Sequence, residues 1–137
     1  MKHLEIVQFS SEISPYSKTG GLADVSRSLP RALKRIGHHV SVVTPFYKFI
    51  KEKNFPIKKL DLEIDIPYVG RNFKFNYFKT ITQDKYPVFF ISENSLFGEN
   101  NHLYGSLDDG LRFLLFNLAA LEMIRAFHWK VDVYHSH

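Results

Sequence analysis

The opening of the chain joins an apolar run to a polar loop and then to a helical pattern. Residues 4–9 are apolar enough to form a buried strand. Polar residues 10–20 follow and include a lysine and two glycines, and apolar side chains then recur every three or four positions as far as residue 36. In open α/β sheets, ligands bind where the carboxyl end of a strand meets the amino end of a helix. The pattern therefore predicts an α/β fold with a ligand site at its first loop.

The composition of this loop suits an anionic ligand. Free backbone N–H groups and the helix dipole attract anions to the start of a helix. Gly20 and Gly21 let the backbone approach such a ligand closely, and Lys18 adds a positive charge. The spacing matches neither the phosphate loop of nucleoside triphosphatases nor the Gly-x-Gly-x-x-Gly fingerprint. Taken alone, these residues leave open whether the loop binds phosphate or only turns the chain.

Pro30 interrupts the helical pattern that follows the loop. A proline inside a helix removes a backbone hydrogen bond and clashes with the preceding turn. We therefore expect a short helix, a break near Ser28 and Leu29, and a second segment with Pro30 in its first turn, ending at Gly37. Five apolar side chains define the stripe that is expected to face the core: Leu22, Val25, Leu29, Leu33 and Ile36.

The rest of the chain alternates strand and helix patterns. Residues 39–44 are rich in valine and predict a second parallel strand. The first two of the next three strands are expected to be antiparallel, as an insertion at the sheet edge, with a turn at residues 67–70. Those three strands are predicted at residues 58–66, 71–81 and 86–91, and a last strand at residues 131–134. Strands that alternate with helices indicate a doubly wound, mostly parallel, Rossmann-like sheet.

Two segments between these strands are less regular. Residues 46–57 are expected to form a surface loop or a short helix, and the glycine- and asparagine-rich residues 92–108 an irregular segment. A helix is predicted from about residue 109 to residue 128, with Asp108 or Asp109 as its cap. Because apolar side chains cover much of its circumference, we expect this helix to be largely buried.

Composition excludes several classes of protein. The chain has 137 residues, of which 45% are hydrophobic, which is enough for one domain with its own core and too much for a disordered segment. There is no cysteine, so a disulfide framework and a thiolate metal site are excluded. No signal peptide precedes the first strand, and no apolar run reaches the roughly 18 residues that span a membrane. We expect a cytoplasmic protein without a membrane partner.

The formal charge of +4 has two interpretations, a solvated basic surface or an electrostatic preference for anionic ligands. Basic and aromatic residues interleave at residues 71–75, a pattern that also occurs in nucleic-acid-binding surfaces. A half-buried strand produces the same alternation, and no RNA- or DNA-binding motif accompanies it. We therefore expect no nucleic-acid partner.

A series of motifs along nearly the whole chain resembles the opening of bacterial glycogen synthases and plant starch synthases. In chain order the motifs are Ser11-Glu12-x-x-Pro15-x-x-Lys18-Thr19-Gly20-Gly21-Leu22-Ala23-Asp24-Val25, Leu29-Pro30-x-Ala32-Leu33, Gly37-His38-x-Val40, Pro45-x-Tyr47, Leu103-Tyr104-Gly105, Arg112-Phe113 with Ala119-Ala120-Leu121-Glu122, and Asp132-Val133-x-His135-x-His137. The resemblance implies a GT-B glycosyltransferase, which has two facing domains with the active site between them. Residues 1–137 would be a truncated N-terminal, acceptor-side domain, and the second, nucleotide-binding domain would be absent.

The resemblance also implies an activity. Members of this family transfer glucose from ADP-glucose to the non-reducing end of an α-1,4-glucan with retention of configuration. ADP-glucose is a co-substrate, so no cofactor and no metal are expected, although UDP-glucose remains an alternative donor. We expect the isolated fragment to be inactive, because half of the cleft would be missing. A catalytically idle, glycan-binding or regulatory relative is the alternative, whereas a dehydrogenase-like domain would need the glycine fingerprint that the chain lacks.

The resemblance assigns roles to five residues. Lys18 would contact the donor phosphate, with Gly20 and Gly21 offering backbone N–H groups to it, and Asp24 and His137 are the catalytic candidates. Asp24 would lie at the sugar–phosphate end of the cleft, although it could instead be a helix-start carboxylate that interacts with the dipole. His137 would form a hydrogen bond with the donor sugar and would not act as a general base.

Glu12 has two interpretations. Its position beside the loop would allow a carboxylate function in the site. It could equally be a structural carboxylate that accepts hydrogen bonds from the loop backbone.

Overall fold

A mixed six-stranded sheet with helices on both faces forms the core of the protein. The computed structural model describes residues 2–98, 103–105 and 108–137. The strands are β1 (Glu5–Phe9), β2 (His39–Pro45), β3 (Lys58–Tyr68), β4 (Arg71–Ile81), β5 (Pro87–Ser92) and β6 (Val133–Ser136). The helices are α1 (Gly21–Arg35), α2 (Lys48–Lys51) and α3 (Asp109–Ala126), and a π-helical turn covers Asn94–Gly98.

The sheet has the strand order β3-β4-β5-β2-β1-β6. β1 pairs in parallel with β2 and β6, and β2 pairs in parallel with β5. β3 and β4 form an antiparallel hairpin at one edge, where β4 also runs antiparallel to β5. This arrangement confirms the predicted parallel sheet with an antiparallel edge insertion. It also brings the carboxyl ends of β1, β2, β5 and β6 to one edge of the sheet.

The helices α1 and α3 lie on opposite faces of the sheet. Contacts made by two successive residues, Phe9 and Ser10, show this. The Phe9 ring meets the Phe116 ring of α3 edge to face, with centroids 6.5 Å apart. The next residue, Ser10, points to the other face, where its hydroxyl lies 2.7 Å from the Ser26 hydroxyl of α1. Because successive side chains of an extended segment point to opposite faces, the two contacts place the two helices on opposite sides of the sheet.

The predicted break at Pro30 is wrong, because α1 is a single helix that contains this proline. The ring is buried against the sheet, and packing tolerates the loss of one backbone hydrogen bond there. The predicted apolar stripe is also partly wrong, since Val25 is 48% exposed and Ile36 is 56% exposed. The residues that α1 buries completely are small, Ala23 and Ser26, which lets the helix lie close to the sheet.

The prediction that α3 is largely buried holds for only one side of the helix. Leu115, Ala119 and Met123 are fully buried, whereas three leucines remain 37–45% exposed, namely Leu114, Leu118 and Leu121. The expected cap at Asp108 makes no side-chain capping bond. Asp109 instead accepts a hydrogen bond from the backbone N–H of Gly105, at 2.8 Å.

The hairpin turn is shorter than predicted. Pro67 and Tyr68 belong to β3, and only Val69 and Gly70 connect it to β4. A proline is accommodated because β3 is the edge strand and needs no hydrogen-bond donor on its open side. The two turn residues have φ of 46° and 70°, the left-handed geometry that matches the twist of a two-residue hairpin.

The irregular and terminal segments agree with the predictions in part. Residues 46–57 contain the short helix α2, and the last strand is shifted by two residues relative to its predicted start. Part of the predicted irregular segment at residues 92–108 forms the π-helical turn. The remainder of that prediction includes residues 99–102 and 106–107, which lie outside the described residues.

Val69 is a β-branched residue in a left-handed conformation and is 86% exposed. This conformation costs an L-residue roughly 1–2 kcal/mol, whereas asparagine tolerates it better. We expect Val69→Asn to raise the free energy of unfolding by about 1 kcal/mol, measured by urea titration. Val69→Thr keeps the branch and adds polarity, so it serves as the control and should bring no such gain. A destabilised Val69→Asn variant would contradict the strain argument.

Candidate functional site

The loop between β1 and α1 lies at the carboxyl edge of the sheet, as predicted. It begins with Ser10, whose N–H donates to the Val43 carbonyl of β2 at 3.0 Å. The Tyr47 hydroxyl donates to the Ser11 carbonyl at 2.7 Å, and burial raises the pKa of this tyrosine. On the other side, the N–H of His137 donates to the Phe9 carbonyl at 3.0 Å. The loop is thus held between the ends of three parallel strands.

Glu12 holds the loop from inside and is only 1% exposed. Its Oε2 accepts hydrogen bonds from the Thr19 N–H at 3.1 Å and the Thr19 hydroxyl at 2.7 Å. Its Oε1 accepts from the Ala23 N–H at 3.0 Å, in the first turn of α1. Of the two interpretations of Glu12, these contacts favour the structural carboxylate that binds the loop backbone.

Packing within the protein does not require a glycine at position 20 or 21. Both are exposed, and an added Cβ at either position would meet no atom within 4 Å. Gly20 has φ of −169°, an extended conformation that any residue adopts. Among the hydrogen bonds of the described residues, none uses the N–H of Gly20, Gly21 or Leu22. The start of α1 therefore presents free donors to open space.

Lys18 and Asp24 lie together at the rim of this space. The Lys18 ammonium donates to both carboxylate oxygens of Asp24, at 2.8 and 2.9 Å. The Ser14 hydroxyl donates to the same carboxylate at 3.2 Å. The hydrogen bond from Lys18 lowers the pKa of Asp24. The side chains of both members of the ion pair are more than half exposed, so the pair is weak and Lys18 can exchange this partner for another anion.

His137 lies at the end of β6 and makes a polar contact with β1. Its Nε2 is 3.2 Å from Oε1 of the buried Gln8, and its ring stacks on the His135 ring with centroids 4.4 Å apart. Burial, and secondarily the neighbouring His135, lower the pKa of His137. The imidazole is therefore neutral at pH 7, which suits a hydrogen-bonding role.

Two cavities open beside these residues. One, of about 530 Å³, is lined by Pro15, Tyr16, Lys18, Thr19, Phe49, Lys53, Leu103 and Tyr104. The other, of about 470 Å³, is lined by Phe9, Ser11, Tyr104, Asp109, Gly110, Phe113, Phe116, Asn117 and His137. Lys18 and His137 thus border different cavities, and Tyr104 lines both. The structure brings Lys18, the two glycines and Asp24 into one cluster and leaves His137 beyond Tyr104.

The sequence-based site prediction missed Tyr104. Its hydroxyl donates to Oε2 of Glu12 at 3.3 Å and lies 2.5 Å from the Ser11 hydroxyl. Burial raises the pKa of this tyrosine. The signal that could have identified it was the Leu103-Tyr104-Gly105 motif, an aromatic residue next to a glycine in a segment without periodicity.

The site prediction also missed Arg112, which forms hydrogen bonds with the segment that contains Tyr104. Its side chain is 2% exposed. The guanidinium donates to the Leu103 carbonyl at 3.0 Å and the Leu96 carbonyl at 2.7 Å, and it pairs with Asp109 at 2.9 Å. The sequence signal for Arg112 was an arginine placed between apolar residues of a predicted helix. A guanidinium buried there needs several hydrogen-bond acceptors.

Neither a metal site nor a membrane span is found in the described part of the chain. Among residues 2–98, 103–105 and 108–137, no group of three or more histidine, aspartate and glutamate side chains is arranged to hold a metal ion. None of the helices within these ranges combines the length and the apolar character needed to cross a membrane.

The chain is similar to known proteins over nearly its whole length. The family described as "Starch synthase catalytic domain" matches residues 5–137. The chain is 36% identical to glycogen synthase 2 of Geobacter metallireducens and 37% identical to a glycogen synthase of Streptococcus agalactiae. Each match covers 98% of this chain and 28% of the relative.

A solved structure is also similar over almost the whole chain. It is the catalytic domain of starch synthase IV from Arabidopsis thaliana bound to ADP and acarbose, with a TM-score of 0.90 and 31% identity. The match covers 99% of this chain and 28% of that one. The chain therefore spans about a quarter of the length of these relatives, and the six-stranded sheet corresponds to the N-terminal part of a GT-B fold.

The lowered pKa of His137 can be tested by titration. Since the folded state disfavours the protonated imidazole, the unfolded chain binds more protons between the lowered pKa and the ordinary value of 6.5. The contribution of His137 to stability is therefore complete above pH 6.5 and is lost as the pH falls through this interval. We expect an NMR titration midpoint below 6.5 for this ring.

The companion variant His135→Ala separates the two causes of this shift. It should raise the midpoint of His137 without restoring the ordinary value, because burial is the larger cause. A midpoint at or above 6.5 in the unmodified protein would contradict the described environment of the ring.

Proposed function

Because the chain belongs to the family of starch synthase catalytic domains, we propose that it is part of a glucosyltransferase. The donor is ADP-glucose, and the acceptor is the 4-hydroxyl at the non-reducing end of an α-1,4-glucan. Transfer proceeds with retention of configuration. Residues 1–137 contribute the N-terminal, acceptor-side domain, and a second domain of the full-length protein contributes most of the nucleotide contacts.

The observation that carries this proposal is the open start of α1. Breaking the sugar–phosphate bond moves negative charge onto the leaving diphosphate, and catalysis needs positioned donors there. The N–H groups of Gly20, Gly21 and Leu22 make no hydrogen bond to any described residue, and the helix dipole adds to their attraction for an anion. The space in front of both glycines is empty, so a phosphate can reach the backbone without meeting a Cβ.

Lys18 and Asp24 act in sequence at this site. Before binding, the carboxylate of Asp24 holds the Lys18 ammonium within 3 Å, close to the start of the helix. When the donor binds, the ammonium turns to the diphosphate, which carries more charge than Asp24. The carboxylate can then accept a hydrogen bond from a sugar hydroxyl. Neither step needs a metal ion.

His137 serves the sugar and not the phosphate. In the neutral ring Nε2–H donates to Oε1 of Gln8, which orients the imidazole, and Nδ1 can accept one hydrogen bond from a hydroxyl of the glucosyl group. It is unsuited to general-base chemistry, because its lowered pKa makes it a weak base. This division of roles agrees with the separate cavities that Lys18 and His137 border.

The acceptor glucan fits the cavities on either side of Tyr104. The first cavity offers aromatic rings at Tyr16, Phe49 and Tyr104, with Lys53 at its wall. Sugar rings stack on aromatic faces, and their hydroxyls bind polar side chains at the rim. The starch synthase IV structure contains both ADP and acarbose, which supports an adenine nucleotide donor over a uridine one for this chain.

The proposal is tested with full-length protein by measuring incorporation of labelled glucose from ADP-glucose into glycogen. Lys18→Ala removes a charge-assisted hydrogen bond to phosphate worth about 1.5–3 kcal/mol, so kcat/KM for the donor should fall roughly 10- to 150-fold. Lys59→Ala, at an exposed position on the edge strand, is the matched control and should retain full activity. Glucan binding by the wild type without any transfer would favour the catalytically idle alternative.

Gly21→Ala separates ligand binding from folding. The helix should tolerate the change or gain up to about 1 kcal/mol, because alanine is the better helix former and the added methyl meets no protein atom. The methyl does enter the space assigned to the diphosphate, so KM for ADP-glucose should rise at least severalfold. Urea titration and steady-state kinetics on the same variant give both quantities. An unchanged KM would remove the glycine pair from the donor site.

A further inference from the structure

The geometry points to Glu12 as a positioning residue for the donor site, acting through Thr19, the start of α1 and Tyr104. This inference rests on the proposed function. Glu12 itself is almost completely enclosed and does not contact substrate. Its effect is to determine which backbone donors of the loop a diphosphate can use, and to join that loop to the wall of the acceptor cavities.

The buried carboxylate is satisfied by neutral donors. The ion pairs found among the described residues do not include Glu12. Its four bonds come from two backbone N–H groups and two hydroxyls, those of Thr19 and Tyr104. Burying a charge in this way is costly unless every oxygen is bonded, and the positive end of α1 offsets the rest. The loop can therefore adopt few other arrangements while Glu12 stays ionised and enclosed.

This arrangement divides the donors at the start of α1 into two sets. Glu12 uses the N–H groups of Thr19 and Ala23, which face the interior. Between them in sequence are Gly20, Gly21 and Leu22, whose N–H groups make no hydrogen bond within the part of the chain that the structure describes. A helix start binds an anion through several N–H groups at once, so the placement of the unused set determines where a diphosphate sits. Glu12 determines that placement by holding the residues on both sides.

Tyr104 extends the effect to the acceptor side. Its hydroxyl donates to Oε2 of Glu12, and its ring lines both cavities. A displaced Glu12 would therefore shift both the phosphate loop and the cavity wall. The larger effect is expected on the donor, because three of the four bonds to Glu12 come from the loop and helix start and only one from Tyr104.

Substitution by glutamine is the sharpest test, because it preserves shape and changes only the donor and acceptor pattern. The amide NH₂ of Glu12→Gln would face either the N–H of Ala23 or the two donors of Thr19, and either choice places donor against donor. Glu63→Gln is the matched control, since Glu63 is half exposed on the edge strand and forms an exposed ion pair with Lys74. Thr19→Val removes the 2.7 Å hydroxyl bond alone, and Thr19→Ser keeps a hydroxyl.

The experiment measures steady-state kinetics, calorimetric ADP affinity and amide hydrogen exchange on the full-length variants. Glu12→Gln should raise KM for ADP-glucose about tenfold or more, because small displacements of positioning groups have effects of this size. KM for glucan should change less, and the amides of Thr19 and Ala23 should exchange faster. Thr19→Ser should retain more donor affinity than Thr19→Val. Glu63→Gln should behave as the wild type.

The outcomes distinguish this inference from the proposed function. An active enzyme in which Glu12→Gln leaves donor KM and ADP affinity unchanged overturns the role of Glu12 alone, even if amide exchange rises. A wild type that binds ADP but transfers no glucose overturns the proposed function alone, because ADP affinity still reports on Glu12. A wild type that neither binds ADP nor transfers glucose overturns both the role of Glu12 and the proposed function. If Glu12→Gln does not fold, equal donor affinity of Thr19→Val and Thr19→Ser overturns the inference.

Discussion

A carboxylate enclosed beneath the first loop is the interaction on which the rest of the site depends. Glu12 bonds to both ends of the segment that begins α1 and to the tyrosine that separates two cavities. Its burial restricts the loop, because an enclosed carboxylate is costly unless donors such as those of Thr19, Ala23 and Tyr104 bond its oxygens. The two glycines and their N–H groups lie between Thr19 and Ala23, the two residues whose N–H groups bond to Glu12. The opening of the chain is thus organised by a group that substrate does not contact.

Around this anchor the ionisable groups are in states that suit separate tasks. Lys18 can exchange its partner Asp24 for another anion, because this ion pair is exposed and therefore weak. His137 is kept neutral by burial and by its histidine neighbour. An anion site with a mobile cation and a neutral imidazole some distance away matches a reaction in which charge builds on a diphosphate and hydroxyl groups surround the sugar.

Much of the fold could be predicted from local patterns. The alternation at residues 71–75 indicated a half-buried strand, and Phe73 and Phe75 are indeed buried on β4, whereas the valines of β2 predicted a second parallel strand. The wrong predictions for the helices have a common cause. The sequence shows which residues of a helix are apolar, but not which of its faces packs against the sheet. Small residues bring α1 close to the sheet and leave Val25 exposed, and packing retains Pro30 within one helix. The exposed leucines of α3 show the same limit, because hydrophobicity alone does not say which side meets the core.

The sequence by itself determined that this chain begins with a strand, a glycine loop and a helix, because those signals are local in residue spacing. Its motifs also determined the family. Only the tertiary structure decided which of the two interpretations of Glu12 applies, that Lys18 meets Asp24, and that Tyr104 and Arg112 belong to the site. The facts that involve Tyr104 depend on contacts between distant residues, which span 92 positions from Glu12 and 93 from Ser11. Such contacts arise only when the sheet brings the carboxyl ends of its parallel strands to one edge.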